Sequence, residues 1–181
     1  MTYDPLPTVD ALMALLVGCA DVWDTPDRSG DPVDLLDHGL QVAAVLAERH
    51  PDDEELQVAG LVHDIGHRLV PGDEAGHGSH AATAVEGLLG PRVARLVALH
   101  IPAKRYLAAA DPHLTLSPES ARTLGCQGGP MTPPEATAFE ADPDFSAAIA
   151  LRRADDAGKV VGLRVAALES WRPVVQRVAA G

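Results

Sequence analysis

Only six of the chain's 181 residues are aromatic. Ala, Leu and Val must therefore fill the interior, and such small aliphatic side chains suit helices packed close together. The apolar spacing agrees. In PVDLLDHGLQVAAVLAERH (32–50), Leu36, Leu40, Ala43 and Ala44 recur at helical intervals, with Asp31 as N-cap, Pro32 at the first helical position and Pro51 as the stop. Asp52, Asp53, Glu54 and Glu55 then put negative charge at the head of a second helix, EELQVAGLVHDIGHRLV, which ends at Pro71-Gly72. Further helices are expected from Asp10 to Val22, from a Ser79 cap to Gly90, and from Pro91 to a bend or end at Pro102. A last one follows Asp142-Pro143 and breaks at Pro173. No stretch alternates like a strand, so the expected fold is all-α, as one domain over residues 1–181.

Residues 111–143 differ in texture. They hold Pro112, Pro118, Pro130, Pro133, Pro134 and Pro143 together with Gly125, Gly128 and Gly129. A segment this long is expected to be an ordered functional loop or lid with short helical turns.

The formal net charge is −12. That argues against a nucleic-acid surface, which needs clustered Lys and Arg to neutralise phosphates, but leaves room for a small anionic substrate in a locally basic pocket. Cys19 and Cys126 are far apart, so neither a disulfide framework nor a cysteine zinc site is expected. The start, MTYDPLPTVD, has no basic leader, and no apolar run approaches the roughly 18 residues of a membrane span. No membrane association and a cytoplasmic location follow as expectations; oligomeric state is not legible.

The chemistry-bearing residues sit where polar groups are costly. LVHDIGH, residues 61–67, holds His63, Asp64 and His67 in an apolar frame. His63 and His67 are four apart and so share a helix face, while Gly66 lets another helix approach. His38 lies between Leu35, Leu36 and Leu40; His100 follows Val93, Leu96 and Val97 on one stripe; Asp155 lies inward with Arg152 beside it. The chain's two lysines each stand four residues beyond one of these groups, Lys104 after His100 and Lys159 after Asp155. Buried imidazoles and carboxylates are expensive alone but not as metal ligands, and imidazole with carboxylate suits iron, manganese or zinc. Plainer readings stand beside this one. A single buried His is more often a hydrogen-bonded core residue, His77 and His80 in GHGSH read as solvent-exposed, and Asp155 and Asp156 compete for one inward role.

The order His38, His63-Asp64, His80, His100, Asp155 resembles the HD superfamily of metal-dependent enzymes. HDIGH (63–67), HIPAKRYLAAADP (100–112), LSPESARTLGCQGGPM (116–131) and LRRADDAGK (151–159) resemble its organophosphonate-cleaving oxygenases of the PhnZ type, relatives of myo-inositol oxygenase. The resemblance implies a single HD-type domain with an N-terminal extension of helix and loop (1–30), a metal-site core (31–160) and a lid (111–143). It implies two iron ions, mixed-valent Fe(II)/Fe(III), with dioxygen as co-substrate. One iron would be held by His38, His63, Asp64 and Asp155, the other by His80 and His100, with Asp64 bridging. His67, Lys104, Ser120 and Arg152 match positions at the phosphonate, Gln127 shapes the lid, and Asp64, His67 and Lys104 are the catalytic candidates. The implied reaction is oxidative C–P cleavage of a 1-hydroxyphosphonate to phosphate and a carboxylic acid. The alternatives are an HD-type phosphohydrolase acting on a nucleotide or small phosphomonoester, and a catalytically silent HD domain. One stretch departs from the pattern: Arg28 and Asp31 of RSGD stand where the family has a tyrosine and a substrate-binding glutamate. Asp31 is then either a substrate contact or only an N-cap.

Overall fold

The computed structural model describes residues 5–25 and 27–181. Met1–Asp4, at the head of the expected N-terminal extension, and Pro26, in its loop, lie outside them. Every regular element among the described residues is a helix, and none of these is long and apolar enough to cross a membrane.

Several helix starts differ from expectation, each for a local reason. α1, Val9–Val17, is capped by Thr8, whose hydroxyl accepts the Ala11 N–H, rather than by Asp10. α2, Leu35–Arg49, begins later than Asp31-Pro32 would place it, because Asp34 caps it by accepting the Asp37 N–H at 2.8 Å. Asp31 is diverted to the Lys159 ammonium, 2.6 Å away in sequence-distant structure. The acidic start of the next helix appears as expected: α3, Glu54–Val62, is capped by Asp53, and Leu56 to Val62 are all buried.

The helix expected to continue through LVHDIGH instead breaks inside it. α3 ends at Val62, α4 covers Ile65–Leu69, and Asp64 sits between them at φ −102°, ψ 4°. His63 and His67 are therefore not successive turns of one helix. Gly66 is nevertheless essential to the close approach, since a Cβ there would lie 1.9 Å from the His77 carbonyl oxygen.

α5, His77–Ala110, is continuous in hydrogen bonding but not in direction. A straight helix would separate residues 77 and 100 by about 34 Å, at 1.5 Å per residue. The Nε2 atoms of His77 and His100 are instead 2.9 Å apart. Gly90, at φ 85°, ψ 167°, reverses the chain in a conformation open to glycine, and Pro91 opens the second limb where its missing N–H costs nothing. The first limb starts at His77, earlier than a Ser79 cap would allow, and the second runs through Pro102 to Ala110.

The 111–143 segment contains α6, Pro118–Cys126, and α7, Pro133–Glu140. Tyr106 of α5 meets Phe145 of α8 edge to face, with ring centroids 5.1 Å apart, and Phe139 of α7 joins them. That aromatic cluster pins the far end of the segment and leaves α6 over the site. The last expected helix is two, α8, Phe145–Ala157, and α9, Leu168–Ala180, the latter accommodating Pro173. Between them the chain leaves the helix and turns at 161–162, and buried Gln41 serves its backbone, donating to the Val160 carbonyl and accepting the Val160 N–H, each at 3.0 Å. The main apolar core draws on α1, α2, α3, α5, α8 and α9.

Candidate metal centre

Four imidazoles converge where α2, the α3–α4 break and the two limbs of α5 meet. Each is oriented from behind by a backbone carbonyl. The Nδ1–H of His38 donates to Gly158 O at 2.8 Å, His63 to Gly60 O at 2.8 Å, His77 to Glu74 O at 2.7 Å and His100 to Val97 O at 2.6 Å. A carbonyl only accepts, so a neutral ring carries its proton on Nδ1 and turns its Nε2 lone pair to the interior. The lone pairs face each other in two sets, His38 with His63 at 3.3 Å and His77 with His100 at 2.9 Å. Two lone pairs so close repel unless a cation or a proton lies between them.

Asp64 joins the sets because the helix break swings its carboxylate between them. Its Oδ2 lies 3.4 Å from both His38 and His63 Nε2, and its Oδ1 lies 3.3 Å from His77 and 3.7 Å from His100 Nε2. Asp155 Oδ1 approaches the first set only, 3.3 Å from His38 and 3.9 Å from His63. Burial would raise both carboxyls, but the His63, His38 and His77 rings hold Asp64 well below the usual range, and Arg152 and Lys159 do the same for Asp155. Burial disfavours charge on His38, yet Asp155 and Asp64 outweigh it and push the ring up to about 10. His100, buried beside His77 and His63, is held well below its ordinary value. The donors fit two cations: His38, His63, Asp64 and Asp155 could hold one, and His77, His100 and Asp64 the other.

His80, expected from sequence to complete the second set, is not among the converging rings. It lies a turn further along α5, partly exposed, with Nε2 2.7 Å from Asp73 Oδ2 at the rim. His77 takes the inner position because it occupies the first turn of α5, against Gly66. His67 borders the pocket and stacks on His77, ring centroids 4.1 Å apart and planes 19° apart.

The remaining expected residues line one cavity of about 40 Å³ on the open side of the cluster. Arg152 pairs with Asp155 at 2.6 Å and with Asp156. Of the two acids, Asp155 is buried beside the rings and Asp156 is only partly buried. Ser120 Oγ lies 3.5 Å from Arg152 and 3.4 Å from Lys159. Gln127 donates to Glu74 O at 3.2 Å, leaving its buried Oε1 without a partner. Asp31 is not an N-cap; it pairs with Lys159 and accepts from Ser117 Oγ at 3.3 Å. Besides His77, the sequence reading missed the lining residues Asp24, Ile101, Glu119 and Thr123. Thr123 lies three residues beyond Ser120 on α6, a spacing that could have flagged it; Asp24 carries no local signal.

This arrangement of helices with a His-Asp pair at a helix break is that of an HD domain: the HD domain matches residues 35–155, and the chain belongs to that family. Two of its curated relatives are named as phosphonate dioxygenases. One is [1-hydroxy-2-(trimethylamino)ethyl]phosphonate dioxygenase (glycine-betaine-forming) of Leisingera caerulea, 34% identical over 92% of this chain and 90% of the relative. Another is hydroxymethylphosphonate dioxygenase of Gimesia maris, 38% identical over 81% of this chain and 78% of the relative.

Proposed function

We propose that the protein is a diiron oxygenase that uses dioxygen to cleave the C–P bond of a 1-hydroxyphosphonate. The overall change is R–CH(OH)–PO₃²⁻ + O₂ → R–COO⁻ + HPO₄²⁻ + H⁺. The observation that carries this is Lys104. It is 4% exposed, and its only hydrogen-bond partner among the described residues is the Thr123 hydroxyl, at 2.6 Å. A buried ammonium with no carboxylate partner, facing a cavity beside the metal ligands, calls for an anion. Arg152 and Lys159 are already committed to carboxylates, so they shape the positive side of the cavity while Lys104 supplies the free charge. Both named relatives act on phosphonates, which supplies the anion's identity.

The ligand assignment of this reading is His38, His63, Asp64 and Asp155 for one iron and Asp64, His77 and His100 for the other. A bound iron pair would supply Lewis acidity and the electron transfer that dioxygen requires. The chain's own residues do the rest: Lys104 binds the phosphonate, Ser120 and Thr123 position Lys104, Arg152 and Lys159, and α6 covers the cavity against water.

Purified, iron-loaded protein is expected to release phosphate from a 1-hydroxyphosphonate only in the presence of oxygen, and to show a mixed-valent EPR signal that changes when the phosphonate is added. Metal-dependent, oxygen-independent hydrolysis of phosphomonoesters without that signal would overturn the reading.

Lys104 also predicts a pH dependence. Burial, with Arg152 and Lys159 nearby and only partly opposed by Asp155 and Asp64, holds its pKa down to about 8. The charged form binds the phosphonate, so affinity is present below this value and lost as pH rises through it. KM for the phosphonate should climb above about pH 8 with little change in kcat, and Lys104→Arg should move the alkaline limb upward. A KM flat to pH 10 in the unmodified protein would remove Lys104 from phosphonate binding.

A further inference from the structure

A second cavity adjoins the metal-site cavity, and Asp24 and His67 line both. Its volume is about 340 Å³ against about 40 Å³ for the first. The small cavity suffices for a phosphonate head; the larger one is placed to take what hangs from C1. Val22, Trp23 and Pro71 give it apolar walls, Arg28 and Arg68 give it positive charge, and Asp21 and Asp24 also line it.

The charges are not equally available. Most arginines of this acidic chain rest on a carboxylate, as Arg92 does on Asp53 and Arg122 on Glu74. Neither Arg28 nor Arg68 has a carboxylate partner among the described residues, and Arg68 spends only its Nε, on Gly18 O at 3.1 Å. The Arg28 guanidinium lies 3.7 Å over the Trp23 ring, a contact with its flat face that uses none of its in-plane donors. Its backbone is left-handed, at φ 58°, a conformation that a non-glycine residue holds only when its surroundings impose it. The imposing element is Asp24. Its Oδ1 accepts the Thr25 N–H at 2.9 Å and the Asp31 N–H at 3.2 Å, and a Cβ on Gly30 would touch its carboxylate. Asp24 is thus folded into its own loop, where burial and Asp31 push it up to about 6. Asp31 is already paired with Lys159. Asp24 and Asp31 are thus engaged, while neither guanidinium meets a carboxylate among the described residues.

We propose that the second cavity binds the C1 substituent of the substrate and that this substituent ends in a carboxylate, held by Arg28 and Arg68. The inference rests on the phosphonate-oxygenase reading and names the substrate class within it. It also gives Arg28 a use at the position where its family carries a tyrosine.

The test compares phosphate release by the iron-loaded enzyme from three 1-hydroxyphosphonates: hydroxymethylphosphonate, 2-amino-1-hydroxyethylphosphonate and 2-carboxy-1-hydroxyethylphosphonate. The carboxylate compound should have the highest kcat/KM, by about tenfold or more over hydroxymethylphosphonate, as a charge-assisted contact provides. Arg28→Met and, independently, Arg68→Met should each lower the ratio of these two values by about tenfold. Because Arg68 lies outside the 24–31 loop, its variant reports on the cavity even if Arg28→Met disturbs that loop. Preference for the amino compound, or a ratio that neither variant changes, overturns the carboxylate assignment and leaves the oxygenase reading standing. Phosphate from none of the three overturns both.

Discussion

Replacing His77 with alanine is expected to cut oxygen-dependent phosphate release by more than about 100-fold, because even the partners behind metal ligands are worth 10- to 100-fold. Metal content should fall by up to one ion per chain, read by elemental analysis of protein purified with iron. His80→Ala is the paired control. His80 lies at the rim on Asp73, and such a partly exposed pair is worth at most about 1 kcal/mol, so activity should stay within about fivefold of the parent. The reverse result, with His80→Ala losing a metal and His77→Ala keeping both, would return the second iron to the ligand set that sequence order suggests.

The other large effect is expected at Asp155. Its carboxylate meets Arg152, Lys159 and His38 in a buried setting, and Arg152 is 3% exposed. Asp155→Asn keeps the shape but leaves a buried guanidinium short of its counter-charge, which costs about 3–5 kcal/mol. For a chain of this length that lowers Tm by roughly 6–20 °C in the metal-free protein. The melt should be measured with and without iron, since loss of a metal ligand also removes the stabilisation that bound metal confers. A variant that melts with the parent in chelator would mean Asp156 alone satisfies Arg152.

Most of the candidate cluster was legible in the sequence for a simple reason. His38, His100 and Asp155 interrupt apolar stripes, and a costly group on a stripe is visible from spacing alone. His77 was not legible because GHGSH has no stripe; what selects it over His80 is the helix start at Gly76 and the approach of α4 through Gly66, both tertiary facts. The break at His63-Asp64 was hidden by an unbroken apolar run on either side. Asp31 read as an N-cap because Asp-Pro is a good local helix start, but an ion pair with a lysine 128 residues away outcompeted it. The same limit applies to the final helix, where Gln41, far away in sequence, takes both backbone groups of Val160 after Gly158. Local signals marked the helices and the candidate ligands on them; long-range polar contacts decided where helices stop.

The reversal at Gly90 also sets which length changes this chain can tolerate. His77 and His100 stand on opposite limbs of one hairpin, facing each other across a gap of 2.9 Å. One residue added to either limb between its ligand and the turn would rotate that ligand by about 100° and advance it by about 1.5 Å. No small adjustment of the backbone restores such a change. Insertions and deletions should therefore be confined to the turn itself, whose Gly90 has open space around it, while the limbs behave as segments of fixed length.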